Sequence, residues 1–221
     1  MMTLKILIID DHPTQIDGYK SILAFNQKGA TIEVTACHDC RQAFKVITNP
    51  LNKEVFDTVF IDYSIPAFEE ENLYTGEDIA LLAQKHFKDP KIAIITSHTE
   101  AIVLYNVLKK VNPQALMVKS DIDGDELLEA FDLLLQGSTY YSETVRIAKK
   151  TMLSKEELLD TTNRKIIELL AQGIKTKNLP EHLHLSQSAI EKRKATIKDA
   201  LGIDKGNDED ILREVRKLGL I

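Results

Sequence analysis

The chain has 221 residues, 43% hydrophobic and 28% charged, an ordinary soluble composition with room for one large domain or two modest ones. No uncharged apolar run is long enough to span a bilayer, and the amino terminus lacks a basic segment followed by a signal-like core, so a cytoplasmic protein without membrane partners is expected. Residues 1–150 carry 15 Lys+Arg against 22 Asp+Glu (net −7) and residues 151–221 carry 13 against 12 (net +1), an asymmetry that points to two domains with different partners.

Residues 4–136 alternate between strand-like apolar runs and amphipathic stretches, the pattern of repeated βα units. Leu4 to Asp10 reads as a strand, and a helix follows from about Pro13, a residue suited to a first turn, to Asn26. Strand Thr31 to Ala36 leads into helix Cys40 to Ile47, where Ala43, Phe44 and Ile47 share a face. At this step Cys37 and Cys40 form a Cys-x-x-Cys. It is either a redox or metal motif, with only His38 and Asp39 at hand to complete a metal site, or two incidental thiols. The third strand, Thr58 to Asp62, runs into a turn-forming Ser-Ile-Pro. After Pro66 comes an acidic loop over 67–75, then a helix from Gly76 to Phe87. Strand Lys91 to Thr96, helix Glu100 to Lys110, strand Ala115 to Lys119 and helix Asp125 to Gln136 complete five units. Right-handed crossovers place helices on both faces of a doubly wound, five-stranded parallel sheet, an α/β flavodoxin-like domain.

Asp10 and Asp11, Asp62, Thr96 and Lys119 fall at the carboxyl ends of these strands, the edge at which open parallel sheets bind ligands. Clustered carboxylates repel one another and attract a cation, and an all-oxygen ligand set suits Mg²⁺. The Lys119 ammonium and Thr96 hydroxyl are then available to an incoming anion. One strand-end aspartate is commonly just a turn former; five such residues at equivalent positions are a candidate site.

On these residues, 4–136 resembles the receiver domain of bacterial response regulators: Asp10-Asp11, Asp62 followed by Pro66, Thr96 and Lys119 match its characteristic positions. The resemblance implies phosphoryl transfer from a histidine kinase to Asp62. It implies Mg²⁺ held by Asp11, Asp62 and the backbone carbonyl of Ser64, with Asp10 acting through the metal's hydration shell, and phosphoryl oxygens bound by Thr96 and Lys119. Two departures stand out. Leu116 occupies the position of the usual aromatic three residues before the lysine, and the 67–75 loop is longer than usual because glycine returns only at Gly76. The loop is either a modulator of kinase docking or dephosphorylation, or a solvated acidic insertion.

Gly137-Ser138-Thr139 breaks the preceding helix, and Ser142-Glu143-Thr144-Val145 reads as the capped start of a short helical linker, with Tyr140 and Tyr141 packed back on the first domain. The expected division is a receiver over 1–137, a linker over 138–158 and a small all-α domain over 159–221. In that domain Ile166, Ile167, Leu169 and Leu170 form one helical face ending at Gly173, a short helix runs to about Leu183 with Pro180 in its first turn, and a helix follows from Gln187 or Ser188 to Leu201. Ala189, Ile190, Ile197 and Leu201 face inward; Lys192, Arg193, Lys194 and Lys198 decorate the exposed side.

Two short helices, a tight connection and a basic second helix make a helix-turn-helix. The spacing from Gly173 through Leu179, Leu183, Leu185, Ser186, Ile190 and Ile197 to Leu201-Gly202-Ile203 resembles the LuxR-type DNA-binding domain, and Ile211 to Ile221 looks like that family's last helix. Receiver plus this domain is the NarL/FixJ architecture. It implies a DNA-binding transcriptional regulator, a homodimer when phosphorylated, with the helix from Ser188 in the major groove of double-stranded DNA and Lys192, Arg193, Lys194 and Lys198 at phosphates or base edges. Glu191 departs from the family's common basic residue; a carboxylate repels phosphate but accepts from cytosine. Glu191 and the near-neutral second domain leave open a phosphorylation-dependent protein-interaction module without DNA binding. An aspartate-nucleophile phosphatase would need an aspartate two residues after Asp62, and Ser64 stands there.

Overall fold

A computed structural model describes residues 2–158 and 160–218. Position 159, the expected start of the last domain, and 219–221, the expected end of its last helix, lie outside the described residues. The chain forms two compact units, Met1–Ile147 and Ala148–Ile221. Among the described residues no helix is long and apolar enough to cross a membrane.

In the first unit, strands β1 (Thr3–Ile9), β2 (Thr31–Cys37), β3 (Thr58–Asp62), β4 (Ile92–Thr96), β5 (Ala115–Val118) and β6 (Tyr140–Tyr141) form one parallel sheet in the order β2-β1-β3-β4-β5-β6. Helices α1 (Pro13–Leu23), α2 (Cys40–Ile47), α3 (Gly76–His86), α4 (Ala101–Lys110) and α5 (Gly124–Leu135) connect the first five strands and close the unit. Every residue of β3, β4 and β5 is buried, which explains their unbroken apolar runs: helices cover both faces. Ile6, Ile8, Phe60, Ala93, Ile95 and Met117 alternate onto the face packed by Ile16 and Leu23 of α1 and Leu127, Phe131 and Leu134 of α5.

The sheet has six strands where five were expected. Tyr140 and Tyr141 do not merely pack on the unit but pair with Ala115 and Leu116 along the β5 edge; two residues are too short to show a strand period. Directly after them, the Asp121 carboxylate accepts the Ser142 hydroxyl at 2.7 Å and the Thr144 N–H and hydroxyl at 2.8 Å each, while Ser142 Oγ accepts the Val118 N–H at 3.0 Å. This clasp fixes the start of α6 (Glu143–Leu158), sixteen residues long where a short helix was expected. Helix α1 stops at Leu23 because the Asn26 amide donates to the Leu23 and Ala30 carbonyls and accepts the Ala30 N–H, replacing a further turn.

The acidic loop is folded rather than loose. Phe68 and Leu73 are buried and exchange two backbone hydrogen bonds, and Asn72 turns the chain in the left-handed region at φ 56°. Phe68 meets Phe44 edge-on at 5.7 Å under the Arg41 guanidinium, which also pairs with Glu70 at 3.0 Å. Its glutamates lie at the surface on an apolar anchor. Cys37 and Cys40 are buried free thiols. Burial, then Asp39, pushes Cys37 up to about 12, and burial, then Asp78, pushes Cys40 up to about 11, so both stay protonated and unreactive at neutral pH.

The second unit contains α7 (Thr161–Ala171), α8 (Leu179–Leu183), α9 (Gln187–Leu201) and α10 (Asp208–Lys217). Asp160 caps α7, Ser186 caps α9, and Pro180 sits in the first turn of α8. Ile166, Ile167, Leu170, Leu179, Ile190, Ile197, Leu201, Ile211 and Val215 form its core. The last helix starts three residues before the expected Ile211, because Asn207 and Asp210 make a reciprocal capping box.

Gly76 opens α3 hard against the backbone of Asp62: a Cβ there would lie 2.2 Å from the Asp62 carbonyl oxygen, whereas one at Gly18 in mid-α1 would meet nothing within 4 Å. Gly76→Ala is expected to cost about 1–3 kcal/mol and Gly18→Ala to add roughly 0.5–1 kcal/mol, measured by urea denaturation. Burial would raise the Asp121 carboxyl, but the Ser142 and Thr144 hydrogen bonds outweigh it and hold it below the usual range. A depressed carboxyl contributes stability above its unfolded pKa and loses it as pH falls through the folded one. Asp121→Asn is therefore expected to lower the melting temperature at pH 7, by a margin that shrinks as the pH drops below the ordinary aspartate range.

Candidate phosphoryl-acceptor site and reading helix

The strand order reverses at β1, so β1 and β3 are neighbours at the point where a parallel sheet opens a crevice. Ile9 pairs with Ile61, and Asp10 and Asp62 follow one step later at the strand ends. The Lys119 ammonium, just past β5, lies 2.7 Å from Asp62 Oδ2 and 3.6 Å from Asp10 Oδ2, and donates to Gln15 Oε1 at 2.9 Å. The Ser64 N–H donates to Asp62 Oδ1 at 3.2 Å. His12 caps the group: its N–H donates to Asp10 Oδ1 at 2.8 Å, and its Nδ1 lies 2.8 Å from Asp11 Oδ1.

Asp10 is 1% exposed and Asp62 5%. Burial raises the Asp62 carboxyl, against the Lys119 hydrogen bond and charge and the Ser64 N–H, which lower it. Asp10 Oδ2 is buried with no hydrogen bond and has Lys119 only at ion-pair range, 3.6 Å, while Asp11 Oδ1 is buried against His12 Nδ1. Among the described residues, Asp10, Asp11, His12 and Asp62 form the one group able to hold a metal ion, with ligand atoms within 4.8 Å of one another. Carboxylate oxygens with unsatisfied lone pairs fit a hard divalent cation. Cys37, His38, Asp39 and Cys40 form no such group.

Asp10, Asp11, Asp62 and Lys119 thus meet, with Ser64 joined through its backbone. Thr96 ends β4 in the buried layer, its hydroxyl oxygen accepting the His98 N–H at 3.0 Å, and the His98 ring stands edge-on to Tyr63 at 5.2 Å. Gln15 and His12 are not legible in the sequence as part of the site, and Gly76 is legible there only as the start of a helix. Gln15 and His12 lie on α1 and its cap, and no sequence spacing reveals that α1 faces Lys119. Beside the lysine a cleft of about 330 Å³ runs between α1 and α5, lined by Gln15, Tyr19, Ile22 and Leu127.

Helix α9 is less cationic at its surface than its sequence reads. Lys194 does not decorate the exposed side: it is 8% exposed, pairs with Asp208 at 2.7 Å and donates to Thr176 at 2.9 Å, because position 194 falls on the inward stripe with Ile190, Ile197 and Leu201. Arg193 is half-buried and donates to Asp160 at 2.8 Å and Asn163 at 3.0 Å, and Lys198 donates to the Gly206 carbonyl at 2.6 Å. Ser188, Glu191 and Lys192 are exposed, as are Lys175 and Lys177 in the turn before α8. Lys194→Ala is expected to destabilise the second unit by about 2 kcal/mol, since it strips a buried ion pair, whereas Lys192→Ala leaves its thermal unfolding unchanged; melting curves of the two variants check both.

No family model matches the chain. In sequence it is 26% identical over 219 residues to the oxygen regulatory protein NreC of Staphylococcus epidermidis, covering 90% of this chain and 92% of the relative. In fold it is similar to the RcsB response regulator of Salmonella typhimurium, with TM-score 0.65, 21% identity and coverage of 98% and 99%. It is also similar to a structure of the RcsB–DNA complex, with TM-score 0.59, 20% identity and coverage of 98% and 99%. The likeness to these response regulators runs through both units, in sequence and in fold.

Proposed function

We propose that the protein is a DNA-binding transcriptional response regulator whose Asp62 accepts a phosphoryl group from a sensor histidine kinase with Mg²⁺, and that the phosphorylated form pairs as a homodimer on duplex DNA. One observation carries the reading: a buried carboxylate is held at 2.7 Å by a lysine, beside a second buried carboxylate whose Oδ2 accepts no hydrogen bond. The bound cation would sit on Asp11, Asp62 and the Ser64 carbonyl, with Asp10 behind its hydration shell, and would neutralise charge on the transferred phosphoryl oxygens.

This chain's own residues do the rest. Burial strips water from the Asp62 carboxylate, which attacks phosphorus as the bond to the donor nitrogen breaks; no proton has to leave the nucleophile. Lys119 exchanges the Asp62 oxygen for a phosphoryl oxygen, and the Thr96 hydroxyl turns from the His98 N–H to another. Lys119 stands two residues before Asp121, the holder of Ser142 and Thr144, so its displacement reaches the start of α6 without the aromatic that Leu116 replaces.

The RcsB structure solved with DNA supports the second half of the reading. Lys192, with Lys175 and Lys177, supplies phosphate contacts, and Ser188 and Glu191 stand at the base edges. The small exposed charge of α9 favours one second reading, a phosphorylation-dependent protein-interaction module that does not touch DNA. Mobility shifts on random duplex at two salt concentrations separate them: the proposed reading requires binding that weakens with salt, by about 0.9 in log affinity per log salt for each phosphate neutralised. Incubation with a small phosphodonor and Mg²⁺ is expected to give one phosphoryl adduct by mass spectrometry, absent in Asp62→Asn and with chelator. An adduct that persists in that variant contradicts the assignment.

A further inference from the structure

We infer, resting on the DNA-binding reading above, that Glu191 is a specificity-determining residue that selects cytosine in the major groove. Helix α9 buries Ile190, Lys194, Ile197 and Leu201, which turns Ser188, Glu191 and Lys192 outward near its amino-terminal end, the end from which a reading helix reaches base edges. The Glu191 side chain is 56% exposed yet held on both sides. Gln187 Nε2 donates to its Oε1 at 3.0 Å, and the Lys194 ammonium stands 4.0 Å from its Oε2. Lys194 is itself fixed by Asp208 and Thr176, so the carboxylate loses little freedom on docking.

A carboxylate only accepts hydrogen bonds. Guanine N7 and O6 and thymine O4 are acceptors and repel it; cytosine N4 and adenine N6 are the amino groups the groove offers. Adenine sets its acceptor N7 beside N6, against the second carboxylate oxygen, whereas cytosine has no acceptor on its major-groove edge. Gln187, which would read adenine with its amide N–H and carbonyl together, has an N–H engaged by Glu191. Gln187 keeps its second N–H, but the Glu191 carboxylate itself presents only acceptors and favours cytosine, at the cost of general affinity for phosphate.

The test is selection from random duplex DNA by the full chain with phosphodonor, followed by affinity measurements on single-position changes. Wild type is expected to select a cytosine in each half-site and to lose about ten-fold or more on its replacement by thymine. Glu191→Ala is expected to lose that preference while binding random duplex more tightly, and Glu191→Gln to shift it toward adenine. An unchanged cytosine preference in Glu191→Ala, or selection of no cytosine by a wild type that does bind duplex, overturns the inference. A wild type that binds no duplex at any salt concentration overturns the DNA-binding reading itself, and this inference with it.

Discussion

Three acidic side chains cannot crowd into one half-buried pocket unless cations share it, and the first unit is arranged around that constraint. Lys119 reaches across from β5 to Asp62 and Asp10, which come from β3 and the end of β1. It offsets part of the repulsion and leaves Asp10 Oδ2 without a hydrogen bond. A cation or anion entering such a site changes the balance of charge more than the shape of the pocket. The scaffold tolerates little slack behind it, since α3 begins with Gly76 in contact with the Asp62 carbonyl.

The same rule, that a buried charge needs a partner, governs the second unit with a different outcome. Lys194 sits inside the helical core because Asp208 and Thr176 meet it there, and Arg193 ties α9 to the capped start of α7 through Asp160. Cations that look like a DNA-binding surface in the sequence serve to lock α9 to its neighbours. What remains outside is a short stripe with one lysine beside one glutamate.

Departures from the common receiver pattern lie in places the fold accommodates. The long acidic loop is anchored by Phe68 beneath Arg41 and against Phe44, so its glutamates have a fixed footing beside α2. Leu116 pairs with Tyr141 of an added edge strand, and the Asp121 clasp joins the loop that carries Lys119 to the start of α6.

The linear order of residues determined the five βα units, the strand ends that carry Asp10, Asp11, Asp62, Thr96 and Lys119, and the helix-turn-helix spacing, because burial on both faces and helical periodicity write themselves into local hydrophobic pattern. It could not supply the sixth strand, since two tyrosines have no period, nor Gln15 and His12, which join the site only when α1 packs over the sheet edge. Tertiary structure alone decided which lysines of α9 stay free. A run of basic residues names charges, but only packing sets the rotation of the helix and brings Asp208, Asp160 and Gly206 within reach of them.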